Sequence, residues 1–417
     1  MSERFVQVDH FFTVPLDHAR PGDRQITLYA REVRADDAAS RDLPWLLFLG
    51  GGPGFPAPRP LDASGWLARA VRDYRVLLLD QRGTGRSTPF DRRSLAALPS
   101  PADQAEYLTH FRADSIVRDA ETIRRALLGD ARWSVLGQSF GGMCAVTYLS
   151  FAPEGLAEAY ITGGLPGLHA DAEDAYRALT PRILDKNTEH YARYPEDAET
   201  ARAVARHLAA HDVELPGGRP LTVECFQSLG NLLGGTGGSH KLHALLEDPF
   251  TGGTELSDGF LHGVAGTLAW TAAAPLYALV HEATYAQGPG ATNWAAQRVR
   301  DEHPAFASDD PVLFTGEAVY PWMFEQDPNL RPFREAAHLL AGRPEWPVLY
   351  DPDRLRSNTV PVAAAIYHGD MYVERGLSIA TAEAIGNLRP WVTRDHEHDG
   401  LRVSEGAVLD HLFAMPR

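Results

Sequence analysis

The sequence predicts an α/β fold in which a mostly parallel sheet is interrupted by a large helical insertion. Three observations lead to this prediction. Strand patterns alternate with helical patterns through residues 1–165, amphipathic helical stretches without convincing strand alternation fill residues 166–345, and strand character returns within residues 346–417. Alternating strands and helices are typical of a parallel sheet that helices cover on both faces. We therefore expect the two outer segments to form one sheet domain and the middle segment to form a helical cap.

Short apolar runs and helical spacing predict the individual elements of the first segment. Continuous apolar runs such as Trp45–Leu49 are typical of strands that are buried on both faces. The six predicted strands are residues 6–14, 26–33, 45–49, 75–80, 133–137 and 158–162. Apolar residues at helical spacing predict helices over residues 66–74, 115–128 and 143–151.

The same patterns place the elements of the cap and of the last segment. Amphipathic helices are predicted in the cap over residues 173–187, 199–211 and 272–285. The last segment contains predicted strands over residues 360–367 and 391–394 and predicted helices over residues 377–385 and 405–413.

The composition excludes several classes of protein. The chain has 417 residues, 44% hydrophobic and 23% charged, so it can bury a large core. Its formal net charge of −16 disfavours binding to nucleic acid or to an anionic membrane. Two cysteines, Cys144 and Cys225, cannot form a disulfide framework. Residues 1–10 carry no apolar leader segment and no run of about 18 apolar residues occurs, so we expect a cytoplasmic protein with no membrane span.

The turn after the fifth predicted strand carries a candidate nucleophile. Its sequence, Gly137-Gln138-Ser139-Phe140-Gly141-Gly142, matches the G-x-S-x-G pattern between a strand and a helix. A sharp turn of this kind exposes the serine, and side chains two residues to either side would clash, which is why glycine occupies those positions. The alternative interpretation is an ordinary turn in which glycine serves close packing.

A serine nucleophile needs a base and an acid that orients the base. In this motif's context they follow the serine in the order acid, then histidine. Asp370 comes directly after a predicted strand, and His398 lies on the loop after the next one. The alternatives are His396 as the base and Glu374 as the acid, and Asp370 could instead serve a turn or cap a helix.

Backbone donors must also face the oxyanion that forms during acyl transfer. The amide of Phe140 and the glycine loop Gly51-Gly52 are the candidates, because glycine lets a backbone N–H approach a ligand closely. The glycine loop lacks the Lys-Ser/Thr of a phosphate-binding loop. His396-Glu397-His398 could ligate zinc, but no H-E-x-x-H motif or cysteine cluster accompanies it. We expect no metal and no cofactor.

Three motifs in order resemble the proline iminopeptidase (prolyl aminopeptidase) family of serine peptidases, which has the α/β-hydrolase fold. They are Gly51-Gly52-Pro53-Gly54, Asp80-Gln81-Arg82-Gly83-Thr84-Gly85-Arg86-Ser87 and Gly137-Gln138-Ser139-Phe140-Gly141-Gly142. The resemblance covers residues 1–165 and 346–417, and a helical cap also suits the family. It implies removal of an N-terminal proline, with Ser139 as nucleophile, His398 as base and Asp370 as orienting acid. Two positions depart from the family pattern: Gly50 replaces its usual histidine, and Gly369 directly precedes Asp370.

The resemblance also implies that carboxylates of the cap bind the free amine of the substrate. A protonated amine that enters a dry pocket must be paired. Glu282 and Glu317 suit this role because each lies among apolar and aromatic residues, and Tyr320 and Trp322 would wall a proline-sized pocket. The alternatives are surface or capping glutamates and aromatic side chains that belong to the core of the cap.

Together these features predict a serine aminopeptidase that forms an acyl-enzyme. Its substrate would be a peptide with a free N-terminus or a small aminoacyl compound, with proline or a similar small residue released. One alternative is an esterase or amidase of small acyl substrates that uses the same three side chains. Another is a non-catalytic ligand-binding protein on a hydrolase scaffold.

Overall fold

The computed structural model describes residues 5–62 and 64–415. Residues 1–4 of the predicted leaderless segment 1–10 lie outside this range. Six strands form in the first segment: β1 Phe5–Pro15, β2 Gln25–Ala35, β3 Trp45–Leu49, β4 Arg75–Asp80, β5 Trp133–Gln138 and β6 Leu156–Thr162. The helices between them are α1 Gly65–Ala70, α2 Arg92–Ala96, α3 Pro101–Leu108, α4 Ala113–Leu128 and α5 Phe140–Phe151. The six predicted strands of this segment are confirmed.

The middle of the chain is mainly helical. Its helices are α6 Ala172–Arg193, α7 Asp197–Ala210, α8 Val223–Gln227, α9 Gly238–Leu246, α10 Asp258–Thr267, α11 Trp270–Ala273, α12 Pro275–Val280, α13 Ala295–Asp301, α14 Pro321–Gln326 and α15 Arg334–Ala341. The single helix predicted over residues 272–285 is wrong. The structure divides it into α11, α12 and a 3₁₀ turn over Glu282–Thr284, because Pro275 cannot donate a helical hydrogen bond.

Three short antiparallel strand pairs also occur in the middle segment, where the sequence predicted none. They are β7 Glu214–Leu215 with β8 Arg219–Pro220, β9 Phe250–Thr251 with β10 Glu255–Leu256, and β11 Gly288–Pro289 with β12 Glu345–Trp346. The first two turn at Gly217-Gly218 and at Gly252-Gly253, and all four glycines have positive φ. Such glycine pairs are typical of tight hairpins, so the sequence did contain the signal.

The last segment returns to the sheet beside the strand that the chain left. Its elements are α16 Pro352–Arg356, β13 Val362–Tyr367, α17 Arg375–Ala384, β14 Leu388–Thr393, α18 Gly400–Val403 and α19 Ala407–Ala414. The sheet order is β1-β2-β4-β3-β5-β6-β13-β14. Only the β1–β2 and β2–β4 pairs within this described sheet are antiparallel. The mostly parallel sheet is therefore confirmed, and the carboxyl ends of β3, β5, β13 and β14 meet at one edge.

Both faces of the sheet are covered. Along β3, Leu46 and Phe48 join one apolar cluster, while Leu47 and Leu49 join the other. This double burial explains the continuous apolar run of Trp45–Leu49. Within the described part of the chain, no helix is both long and apolar enough to cross a membrane.

A buried ion pair joins the loop after β4 to helix α4. Arg82 and Asp119 are both buried, and the Arg82 guanidinium donates two hydrogen bonds of 2.7 Å to the Asp119 carboxylate. It also donates to the carbonyl oxygens of Leu16 at 2.8 Å and His110 at 2.7 Å. One side chain thus holds the end of β1, the loop after β4 and helix α4 together.

We expect Arg82→Met to lower the free energy of unfolding by about 3–5 kcal/mol, because it removes both guanidinium hydrogen bonds from the buried Asp119 carboxylate. The partner that Asp119 keeps among the described residues is the imidazole of His18, at 2.8 Å. Arg125→Met is the matched control. The Arg125 side chain is 71% exposed and its nitrogen lies 3.7 Å from Glu121, so its removal should change stability by less than about 1 kcal/mol. Denaturant titration measures both values. An Arg82→Met variant as stable as the control would contradict this account.

Candidate active site

Ser139 lies on a strained turn between β5 and α5. Its backbone has φ of 55° and ψ of −123°, a conformation that residues other than glycine rarely adopt. The turn is possible only because its neighbours are small. A Cβ atom on Gly141 would lie 1.9 Å from the carbonyl oxygen of Leu49, and one on Gly137 would lie 2.3 Å from the carbonyl oxygen of Gly141.

Asp370 and His398 form a buried hydrogen-bonded pair at the carboxyl edge of the sheet. The His398 Nδ1 atom lies 2.7 Å from the Asp370 Oδ2 atom. The other carboxylate oxygen of Asp370 accepts hydrogen bonds from the backbone N–H groups of Tyr372 at 2.8 Å and Val373 at 3.0 Å. The Nε2 atom of His398 has no hydrogen-bond partner among the described residues, so it is free to act on a neighbouring group.

The two alternative residues have other surroundings. Glu374 caps helix α17 by accepting a hydrogen bond from the backbone N–H of Leu377 at 2.8 Å. His396 makes no hydrogen bond to Asp370 in the described structure. The structure therefore pairs Asp370 with His398 rather than with His396.

The surroundings of His398 favour its protonated form. Burial by itself would lower the pKa of this imidazole, but the charge and hydrogen bond of Asp370, with a further contribution from Glu317, raise the pKa of His398 above its ordinary value. Arg402 acts in the opposite direction. The Tyr372 ring and the imidazole pack in a T-shaped arrangement, with centroids 4.8 Å apart and the planes at 86°.

A cavity of about 410 Å³ brings the candidate residues together. Ser139, His398 and Glu317 line it with the loop that contains Gly51 and Gly52. The remaining described wall residues are mostly apolar and are Phe48, Gly50, Phe55, Pro56, Pro58, Trp66, Gln138, Asn231, Tyr372, Leu401 and Arg402. This volume is typical of a site for a small molecule.

The glycine loop packs directly against the serine turn. A Cβ atom on Gly51 would lie 2.7 Å from the Cβ atom of Ser139, so only glycine allows this approach. Among the described groups, the backbone N–H groups of Gly51, Gly52 and Phe140 have no hydrogen-bond partner. These N–H groups are therefore available to a ligand next to Ser139.

Of the four cap residues predicted to bind substrate, only Glu317 lies in this cavity. Its Oε1 atom accepts a hydrogen bond of 2.7 Å from the hydroxyl of Tyr277. Glu282 is buried elsewhere, where it accepts a hydrogen bond of 2.9 Å from the backbone N–H of Ala296, and burial raises the pKa of its carboxyl group.

Tyr320 and Trp322 do not line the cavity with Ser139 either. Their rings stack on each other within the cap, with centroids 5.7 Å apart and an angle of 13°. The expected wall of a proline-sized pocket is therefore not built from them, and Phe48, Phe55 and Trp66 of the sheet domain supply aromatic surface instead.

The carboxylates on either side of His398 connect its loop to the cap. The sequence did not predict these contacts. Glu397 accepts a hydrogen bond of 2.6 Å from Lys186 of α6. The Asp399 carboxylate accepts hydrogen bonds from Thr236, one of 2.7 Å from its hydroxyl and one of 3.0 Å from its backbone N–H. The positions of Glu397 and Asp399 on either side of the histidine are the only sequence signal for these contacts.

Within residues 5–62 and 64–415, no cluster of three or more His, Cys, Asp and Glu side chains is arranged to hold a metal ion. In the His396-Glu397-His398 segment, Glu397 binds Lys186 and His398 binds Asp370. These side chains already have protein partners.

Comparison with known proteins identifies the fold and the family. A family model described as the alpha/beta hydrolase fold matches residues 44–251. A proline iminopeptidase of Aeromonas sobria is 50% identical over 411 residues, which cover 98% of this chain and 96% of the relative. A proline iminopeptidase of Aspergillus aculeatus is 36% identical over 422 aligned residues, with 97% of this chain and 92% of the relative covered.

The sheet order, the serine turn and the family-model match define a hydrolase with the α/β-hydrolase fold. The two relatives match over nearly their whole length, at 50% and 36% identity. The chain belongs to the proline iminopeptidase family.

The pH dependence of Ser139 reactivity tests the electrostatic role of Glu317. His398 can accept a proton only when it is neutral. Glu317→Gln removes a negative charge that favours the imidazolium, so the pKa of His398 should fall and the acid limb of reactivity should move to lower pH. The rate of inactivation by a serine-directed phosphonate that lacks an amine measures this limb. The control is Glu282→Gln, whose acid limb should not move, and an acid limb that stays in place in Glu317→Gln would contradict the prediction.

Proposed function

We propose that this protein is a serine aminopeptidase that releases N-terminal proline, or a similar small residue, from peptides through an acyl-enzyme. The observation that carries the proposal is the single cavity that Ser139, His398 and Glu317 line together. The names of the two full-length relatives support the same activity.

The proposed reaction begins with Ser139. Its Oγ atom attacks the carbonyl carbon of the N-terminal residue while Nε2 of His398 takes the hydroxyl proton. Asp370 holds Nδ1 of the imidazole and stabilises the imidazolium that forms. The oxyanion accepts hydrogen bonds from the N–H of Phe140 and from the Gly51-Gly52 loop.

The peptide bond then breaks. Nε2 of His398 gives its proton to the leaving amine, and the prolyl group stays on Ser139 as an ester. A water molecule attacks the carbonyl carbon of this ester while Nε2 of His398 takes a proton from the water. When the second intermediate collapses, the bond between the acyl carbon and Oγ breaks, His398 gives its proton to Oγ, and proline is released. The reaction uses no metal and no cofactor.

Glu317 gives the reaction its requirement for a free N-terminus. The protonated amine of the substrate pairs with this carboxylate, which Tyr277 holds by a hydrogen bond of 2.7 Å. The apolar surfaces of Phe55 and Trp66 suit the proline ring. The segment 166–345 acts as a cap that closes the cleft beyond the N-terminal residue, which makes the enzyme an exopeptidase. The cytoplasmic location remains a prediction that cell fractionation tests.

Replacing Glu317 with Gln should raise KM for prolyl arylamide about tenfold to a hundredfold, because a charge-assisted hydrogen bond to the amine is lost. Glu282→Gln is the matched control, since it changes a buried cap carboxylate outside the cavity. N-acetylprolyl arylamide has no charged amine and should be a poor substrate of the wild type. Steady-state kinetics with both compounds measure these effects.

Three outcomes would contradict the proposal. Equal turnover of the free and acetylated arylamides would indicate an amidase that does not recognise the amine. An unchanged KM in Glu317→Gln would remove Glu317 from substrate binding. Loss of activity with a chelator, restored by metal, would contradict a metal-free serine mechanism.

A further inference from the structure

Arg402 is an exposed cation on the wall of the Ser139 cavity. It lies on helix α18, four residues after His398. Glu317 and Arg402 are the acidic side chain and the arginine among the described residues that line this cavity, and His398 and Tyr372 are the other titratable groups there.

The Arg402 guanidinium has no protein partner in the described structure. No hydrogen bond, ion pair or aromatic contact to another described residue involves its side chain. The nearest acid along the chain, Asp399, uses its carboxylate to accept hydrogen bonds from Thr236 of the cap. Arg402 therefore presents its charge to whatever enters the cavity.

Arg402 is set apart by its position on the cavity wall, because other exposed arginines such as Arg72 also have no side-chain partner in the described structure. The protein has 55 acidic and 39 basic residues, and many of its arginines form ion pairs, for example Arg69 with Asp73 and Arg177 with Glu302. An arginine without an acidic partner at a cavity wall fits a ligand that supplies the negative charge itself. Arginine is well suited to this because its planar guanidinium can donate two parallel hydrogen bonds to a carboxylate.

The two charges of the cavity match the two ends of a short peptide. A peptide of two or three residues is a zwitterion, with a protonated amine at one end and a carboxylate at the other. A cavity of about 410 Å³ falls in the size range of sites for small molecules. With the amine at Glu317 and the scissile carbonyl at Ser139, the carboxylate of such a peptide is the group left to face Arg402.

We propose that Arg402 binds the C-terminal carboxylate of the substrate and that the preferred substrates are di- and tripeptides with N-terminal proline. This inference rests on the proposed function, because it assumes that Glu317 binds the amine of the substrate and that Ser139 attacks the carbonyl carbon of its N-terminal residue. Arg402 would then be a second group that recognises the substrate, after Glu317. Only in a short peptide does the C-terminal carboxylate lie close enough to Arg402, so the enzyme would distinguish short peptides from longer chains by charge as well as by size.

The test compares kcat/KM for Pro-Gly and Pro-Gly-Gly with kcat/KM for the same peptides carrying a C-terminal amide. The leaving groups differ in reactivity, so the readout is the acid-to-amide ratio and its change between variants. Arg402→Gln should lower this ratio about threefold to fivefold at low ionic strength, the range for an exposed ion pair. In the wild type, added salt should lower the ratio in the same direction.

Arg72→Gln is the matched control, because Arg72 is also exposed and lies outside the cavity. Its acid-to-amide ratio should equal that of the wild type, and Arg402→Lys should keep part of the preference. A ratio that is the same in Arg402→Gln as in the wild type would overturn this inference. Prolyl arylamide separates this inference from the proposed function, because it has no carboxylate for Arg402 to bind. Its turnover supports the aminopeptidase activity whatever the effect of Arg402. Failure to cleave the arylamide and all of the peptides would overturn both the proposed function and this inference.

Discussion

The hydrogen bond between His398 and Asp370 is the constraint on which the rest of the site depends. It joins two loops that follow neighbouring strands, β13 and β14, and a backbone hydrogen bond of 2.8 Å from His368 to Thr393 holds those loops in register. The other carboxylate oxygen of Asp370, Oδ1, accepts hydrogen bonds from two backbone N–H groups. Burying the carboxylate without these partners would destabilise the folded state, because its lost hydration would not be replaced. The pair therefore fixes the orientation of the imidazole and leaves its Nε2 atom without a partner among the described residues, as the proposed reaction at Ser139 requires.

The middle segment does more than cover this pair. Lys186 and Thr236 bind the residues on either side of His398, while Tyr277 holds Glu317 and packs on Phe55 of the loop that follows β3. The same segment thus touches the loop of the candidate base, the candidate oxyanion loop and the candidate amine site. Movement of this segment would change all three together, so in the proposed enzyme the binding of the amine and the geometry of the proposed catalytic groups would be linked.

Sequence patterns predicted the sheet better than the cap. Trp45–Leu49 and Arg75–Asp80 have the predicted bounds because strands buried on both faces are continuous apolar runs. The break at Pro275 and the glycine hairpins had local signals that the helical pattern obscured. Glu282 and Glu317 could not be separated from sequence, since both lie among apolar neighbours and only the packing of distant segments decides which one reaches the cavity. Arg402 belongs to no motif, and its proposed role depends on two structural facts: its position on the cavity wall and its lack of a side-chain partner among the described residues.

Direct trapping of the acyl-enzyme tests the central claim. The protein would be mixed with a prolyl ester, quenched in acid within the time of a few turnovers, and examined by intact mass and peptide mapping. The account predicts a prolyl group on the peptide that contains Ser139, with no such adduct in His398→Ala. An adduct on another side chain, or turnover of the ester without any covalent intermediate on Ser139, would contradict it.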